Sequence, residues 1–230
     1  MTLRLGVPSK GRLMEKSFEW FAARGLTLRK AGSERDYAAV AEGVEGIELV
    51  LLSAGEIPHE LARGRLHMGV TGSDLVREHV PLWDTRLRPL AEMGFGNADL
   101  IIAVPQFWVD VDTLDDLDAV AAAFRRRHGF RLRIATKYHR LVREFLQSRG
   151  VADYQLVDSQ GATEGTVKNE AAEAIADITS TGETLRANGL KVLSDGLIHA
   201  SQATLYKSRM AMWSEEDRRA MRLIEGKLGL

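Results

Sequence analysis

The chain of 230 residues contains no cysteine. Disulfides, thiolate metal sites and cysteine nucleophiles are therefore excluded. Excess charge of one sign is lacking too: 31 Lys and Arg stand against 32 Asp and Glu, a formal net charge of −1. No global field draws such a chain to nucleic acid or to an acidic membrane surface, so neither is expected as a partner. No apolar run approaches the roughly 20 residues that a membrane helix needs. The first residues, Met1 to Pro8, lack a basic region followed by a long apolar stretch. They read as a first strand rather than a leader peptide. Together with the missing cysteine, this points to the cytoplasm. Internal repeats and low-complexity segments are absent.

What is present is a 45% hydrophobic chain, long enough to bury one large core or two smaller ones. Strand-like and helix-like segments alternate. Strands are expected at residues 3–7, 37–41, 47–52, 66–70, 87–93, 100–104, 131–135, 154–157, 174–176, 191–193 and 204–206. Between them lie helices with apolar faces, such as Met14, Phe18, Phe21 and Ala22, or Leu114, Leu117, Val120, Ala121 and Phe124. Thr113 with Asp116 and Ser214 with Asp217 have capping-box spacing. The run Arg125-Arg126-Arg127-His128 before Gly129 reads as cations complementing a helix C-terminus, because no aromatic residues are interleaved to stack bases. The alternation argues for an α/β fold with mixed, largely parallel sheets. Crossings near Gly94 and after Leu185 favour two lobes around a central cleft. Residues 1–93 and 186–230 would form a discontinuous first lobe, and residues 94–185 a second.

The segment Ala174-Ile175-Ala176-Asp177-Ile178-Thr179-Ser180-Thr181-Gly182-Glu183-Thr184 reads as strand, tight turn, helix start. Such a turn gathers backbone N–H groups and hydroxyls at one point, which suits a phosphate, and the preceding acid suits a ribose diol or a metal-bound sugar phosphate. Hydroxyl residues before a helix also serve as ordinary N-caps. Three other strand-to-helix junctions repeat the logic. Ser9-Lys10-Gly11-Arg12 offers a close backbone approach and two cations, Thr71-Gly72-Ser73-Asp74 offers a helix start, and Thr136-Lys137-Tyr138 offers a cation and a ring. Strand C-terminal ends are where open α/β folds place ligands.

These four segments, Val7 to Leu13, Met68 to Leu75, Ile134 to Tyr138 and Ala176 to Leu185, occur in an order that resembles the ATP phosphoribosyltransferase family, essentially from end to end. The resemblance implies two periplasmic-binding-protein-like lobes. It also implies transfer of the phosphoribosyl group of phosphoribosyl pyrophosphate to N1 of ATP, the first step of histidine biosynthesis. The length fits the family's short form, which implies an oligomer with a regulatory subunit resembling histidyl-tRNA synthetase. Mg2+ held through the substrate is implied as cofactor, with its protein ligands unassigned. By the same resemblance Thr179, Ser180, Thr181, Gly182, Glu183 and Thr184 would hold the ribose 5-phosphate, and Asp177 the ribose hydroxyls. Lys10, Gly11 and Arg12 would meet the pyrophosphate, with Gly72 and Ser73 nearby. Lys137 and Tyr138 would meet nucleotide phosphates or ribose, and Glu164 the ribose or the metal shell. Arg35 is a candidate cation for the leaving group. Many short-form relatives carry an arginine at or near Ser53, whereas this chain has no Lys or Arg between Gly43 and Arg63. A non-catalytic two-lobed anion sensor and a phosphoribosyltransferase for another base remain as alternatives.

Overall fold

The computed structural model describes residues 2–30, 38–42, 46–159 and 161–230. The chain divides into two compact units, Met1–Asn97 with Gln202–Leu230, and Ala98–Ser201.

The first unit runs β1 (Leu3–Pro8), α1 (Gly11–Ala22), β2 (Thr27–Lys30), β3 (Ala38–Glu42), β4 (Ile47–Leu52), α2 (Ile57–Ala62), β5 (Met68–Gly72), α3 (Ser73–His79), α4 (Trp83–Arg86) and β6 (Leu87–Glu92). The second contains β7 (Ala98–Pro105), α5 (Leu114–His128), β8 (Leu132–Thr136), α6 (His139–Ser148), β9 (Tyr154–Asp158), α7 (Gly165–Lys168), β10 (Ala174–Thr179), α8 (Glu183–Ala187) and β11 (Leu190–Ser201). The chain then returns to the first unit as β12 (Ala203–Ser208) and α9 (Glu215–Leu228).

The first sheet has the order β2-β3-β4-β1-β5-β12-β6, and the second β11-β7-β10-β8-β9. Parallel pairing runs through β4–β1–β5 in the middle of the first sheet and through β10–β8–β9 on one side of the second, where β9 is the edge strand. The remaining ladders are antiparallel. The sheets are thus mixed, and the parallel character expected from strand–helix alternation is limited to these two three-strand runs. Two things produce the antiparallel remainder. The run β2–β3–β4 is made of successive antiparallel strands, and each unit also takes in a strand at the point where the chain crosses.

Central strands are buried on both faces, as covered parallel strands must be. In β1, Leu3, Leu5 and Val7 are fully buried on one face, and Gly6 and Pro8 are buried on the other. Leu26, Met68, Val70, Met221 and Ile224 join them in one core cluster. Helix α9 turns Ala220, Met221, Ile224 and Leu228 inward. Both expected capping boxes form: Asp116 N–H donates to Thr113 Oγ1 at 3.3 Å and Asp217 N–H to Ser214 Oγ at 3.2 Å, each with the reciprocal bond to the carboxylate. Gly129 ends α5 in the left-handed region, donating to the Arg125 carbonyl at 2.9 Å, so the basic run does close a helix. A Cβ on Gly69 would lie 2.7 Å from Ile57 Cγ2, so glycine lets α2 close onto β5.

Three local expectations differ. The sequence reading missed β2, a four-residue edge strand that pairs with β3. Ala22 is exposed, whereas Ser17 is buried on the inward face of α1, its hydroxyl donating to the Leu13 carbonyl at 2.6 Å. Residues 186–201, assigned from sequence to the first lobe, lie in the second unit because β11 is a twelve-residue strand antiparallel to β7.

Candidate functional site

In the second unit, β10 delivers the acid and the turn. Ala174, Ile175 and Ala176 are fully buried, while Asp177, still paired with β7, is half-buried and Thr179 ends the strand. The turn is organised by its own hydroxyls. Gly182 N–H donates to Thr179 Oγ1 at 2.9 Å, and Glu183 N–H to Thr181 Oγ1 at 3.3 Å. Gly182 has φ 71°, the left-handed conformation that glycine adopts without penalty, and a Cβ there would meet Arg186 Nη1 at 3.0 Å. Arg186 in turn donates from Nη2 to the Thr181 carbonyl at 3.2 Å. Two of the turn's amides are therefore already engaged within it.

The turn borders a cavity of about 180 Å³ lined by Glu164, Asp177, Thr179, Ser180, Thr181 and Thr184. Glu164 reaches it from the segment before α7. Lys137 is tied to that same segment, its Nζ donating to the Gly161 carbonyl at 2.6 Å. The parallel register of β8 and β10 pairs Thr136 with Ala176, so Lys137 and Asp177 each lie one residue beyond paired positions. Tyr138 is only 6% exposed, and its N–H donates to Thr136 Oγ1 at 2.9 Å. Its ring therefore belongs chiefly to the packing behind the junction, and Lys137 is the exposed group there.

In the first unit, the candidate residues gather at the ends of three adjacent parallel strands. Lys10, Gly11 and Arg12 follow β1 and are exposed, and Gly11 has φ 71°. Gly72 and Ser73 follow β5 and are half-buried. Ser9 N–H donates to the Leu52 carbonyl at 2.7 Å, and Thr71 Oγ1 to the Ala54 carbonyl at 2.7 Å, fixing these ends to the turn after β4. Arg35 lies outside the described residues.

Sequence reasoning missed one member of this edge, Glu56. Its Oε2 accepts from Ser53 N–H at 3.0 Å and Ser53 Oγ at 2.6 Å. These bonds, the hydroxyl first and the amide second, hold the Glu56 carboxyl below its ordinary pKa. The Ser-x-x-Glu spacing of residues 53–56 was the available signal. At this edge Ser53 is thus bound through both its amide and its hydroxyl to an acid. Among the described residues, no group of three or more His, Asp or Glu side chains is arranged to hold a metal ion. No helix among them is long and apolar enough to cross a membrane.

Two mixed α/β sheets in two units, with the chain crossing to the second and returning to the first, are the fold of the periplasmic-binding-protein-like class. The solved GluR0 ligand-binding core in complex with L-glutamate shares this fold, with a TM-score of 0.54 at 11% identity over 100% of this chain and 97% of that one. A chain of the ATP phosphoribosyl transferase (HisG:HisZ) complex from Thermotoga maritima reaches a TM-score of 0.72 at 22% identity, covering 99% of this chain and 96% of the other. The family model described as "HisG: ATP phosphoribosyltransferase" matches residues 53–227. An ATP phosphoribosyltransferase of Cereibacter sphaeroides is 73% identical over 215 residues, 94% of this chain and 91% of the relative. The chain belongs to the ATP phosphoribosyltransferase family. Its activity is accordingly a pentosyl transfer, the first step of histidine biosynthesis, and that activity requires a metal ion.

Proposed function

We propose that the turn Thr179–Thr184 grips the 5-phosphate of phosphoribosyl pyrophosphate, with Asp177 and Glu164 facing the ribose hydroxyls. The observation that carries this reading is the small cavity that the two carboxylates share with the hydroxyls of Thr179, Ser180, Thr181 and Thr184. In the reaction, a bond forms between N1 of the ATP adenine and C1 of the ribose. The bond from C1 to the pyrophosphate oxygen breaks, and its electron pair leaves with pyrophosphate. C1 becomes oxocarbenium-like while the leaving group gains negative charge. Catalysis then rests on positioning and on stabilising charge rather than on a protein nucleophile.

Lys10 and Arg12, with the backbone at Gly11, Gly72 and Ser73, would supply positive charge and N–H donors to the pyrophosphate. Arg35 is assigned to the same task. Lys137 would contact nucleotide phosphate or ribose while bracing the Gly161 segment that presents Glu164. Tyr138 would support that junction through packing. We assign the metal as Mg2+ brought with the pyrophosphate, where it would supply Lewis-acid neutralisation of the leaving group. Glu164 would be the carboxylate to reach its shell.

We further assign the chain to the cytoplasm and to the family's short form, oligomeric and paired with a regulatory subunit resembling histidyl-tRNA synthetase. The support for that pairing is the solved Thermotoga maritima complex, which carries the names of both subunits.

The acceptor assignment is tested by incubating the chain with phosphoribosyl pyrophosphate, Mg2+ and either ATP or free adenine. Pyrophosphate should appear with ATP and not with adenine. Turnover with the free base alone would transfer the chain to another phosphoribosyltransferase chemistry, and no turnover with either would leave a binding module.

A further inference from the structure

Glu164 comes to the Thr179–Thr184 cavity from outside the turn, on the segment between β9 and α7. Its side chain makes no capping bond to α7, and among the described residues its carboxylate has no hydrogen bond or ion pair. Nothing attached to that side chain fixes its place, so the backbone that carries it must. That backbone is tied to the junction of β8 and α6 at three points. Ser159 N–H donates to the Thr136 carbonyl at 3.2 Å, Lys137 Nζ to the Gly161 carbonyl at 2.6 Å, and His139 Nε2 to Asp158 Oδ1 at 3.1 Å. A fourth bond, from Ser159 Oγ to Thr163 Oγ1 at 2.8 Å, closes the segment on itself, and both residues are buried. The junction is a firm base. Val142 and Leu146 of α6 are fully buried, and Val142 N–H donates to the Tyr138 carbonyl at 3.0 Å.

The bond between His139 and Asp158 differs from the others. An ionised carboxylate only accepts, so Nε2 must carry a proton, and the bond holds whether the ring is neutral or charged. Neither residue lines the cavity. Their side chains are 36% and 65% exposed, and a pair so exposed contributes little to stability. Asp158 is the last residue of β9, so the bond fixes the direction in which the chain leaves the sheet towards Glu164. We infer that His139 is a positioning residue for the pentosyl transfer, acting through Asp158 to hold Glu164 in the cavity; this rests on the reading of Glu164 as a group that faces the ribose. Lys137 shares the task, but its own charge reaches the ligand end, whereas His139 acts on position alone.

A double-mutant cycle tests this. His139→Ala should raise KM for phosphoribosyl pyrophosphate about fivefold, as for one coupled contact, with a smaller change in KM for ATP. Its melting temperature should stay within about a degree of the wild type. His139→Gln, which can still donate to Asp158, should recover most of the loss, and Asp158→Ala should reproduce it. In a Glu164→Ala background, His139→Ala should add nothing further. An unchanged His139→Ala enzyme beside an impaired Glu164→Ala enzyme would overturn the inference and leave the ribose-facing reading intact. A fivefold loss repeated in the Glu164→Ala background would also overturn it, because His139 would then act through another group. Unchanged constants in Glu164→Ala itself would remove the ribose-facing reading and the inference with it.

Discussion

Lys137 Nζ lies 2.6 Å from the carbonyl oxygen of Gly161, so a cation at the end of β8 holds the segment that presents Glu164. The bond couples two candidate groups that are 27 positions apart in sequence, as read directly from Lys137 and Glu164. Replacing Lys137 with Met removes both the brace and the charge. A hydrogen bond from a charged group contributes about 1.5–3 kcal/mol, which, discounted for the exposure of Lys137, suggests a fall in kcat/KM of at least about tenfold. Lys137→Arg should retain part of the activity. Steady-state kinetics with both substrates checks this, and an unchanged Lys137→Met enzyme would remove Lys137 from the site.

Gly182 is the conformational pivot of the Thr179–Thr184 turn. Placing alanine at φ 71° costs about 1–2 kcal/mol. The new methyl would also press on Arg186 Nη1, 3.0 Å away, and unsettle its bond to the Thr181 carbonyl. Gly182→Ala should therefore raise KM for phosphoribosyl pyrophosphate more than it lowers the melting temperature, since α8 is short and lies at the surface. Equal KM values in the two proteins would show that the turn does not need this conformation.

Tyr206 supplies a pH signature of the first core. It is 3% exposed, and burial pushes its hydroxyl up to about 12. The unfolded chain ionises near pH 10, while the folded chain keeps the proton. The unfolded state thus binds fewer protons between pH 10 and about 12, and stability falls as pH rises through that window. The full shift corresponds to about 3 kcal/mol, an upper figure. Urea unfolding at pH 9 and pH 11 should show a smaller loss in Tyr206→Phe than in the wild type. Identical losses would mean that Tyr206 is not the group responsible.

Local chemistry was the legible part of this fold. The capping boxes at Thr113 and Ser214, the stop at Gly129 and the apolar face of α9 follow from residues within a few positions of one another, and all are present. The strand–turn–helix around Asp177 was legible for the same reason. Pairing between distant strands was not. Nothing local in residues 190–201 announces that β11 will run along β7, and this long-range pairing places the boundary between units after Ser201. The candidate site divides in the same way. Each turn could be read from its own residues, but the bond from Lys137 to Gly161 and the bond from Thr71 to Ala54 depend on strand order. Glu56 belongs to the long-range part as well, because its turn meets this edge only through the bonds that tie it to Ser9 and Thr71.

The claim on which the rest depends is that the Thr179–Thr184 turn binds the phosphoryl group at the ribose 5-position. Calorimetric titration of phosphoribosyl pyrophosphate into the wild type and into Thr181→Ala/Thr184→Ala tests it most directly. Both threonines are exposed, so the double variant should melt within a degree or so of the wild type. Its dissociation constant should rise at least about tenfold, the loss of one or two hydrogen bonds to a charged ligand. Equal affinity in two equally stable proteins would contradict the account.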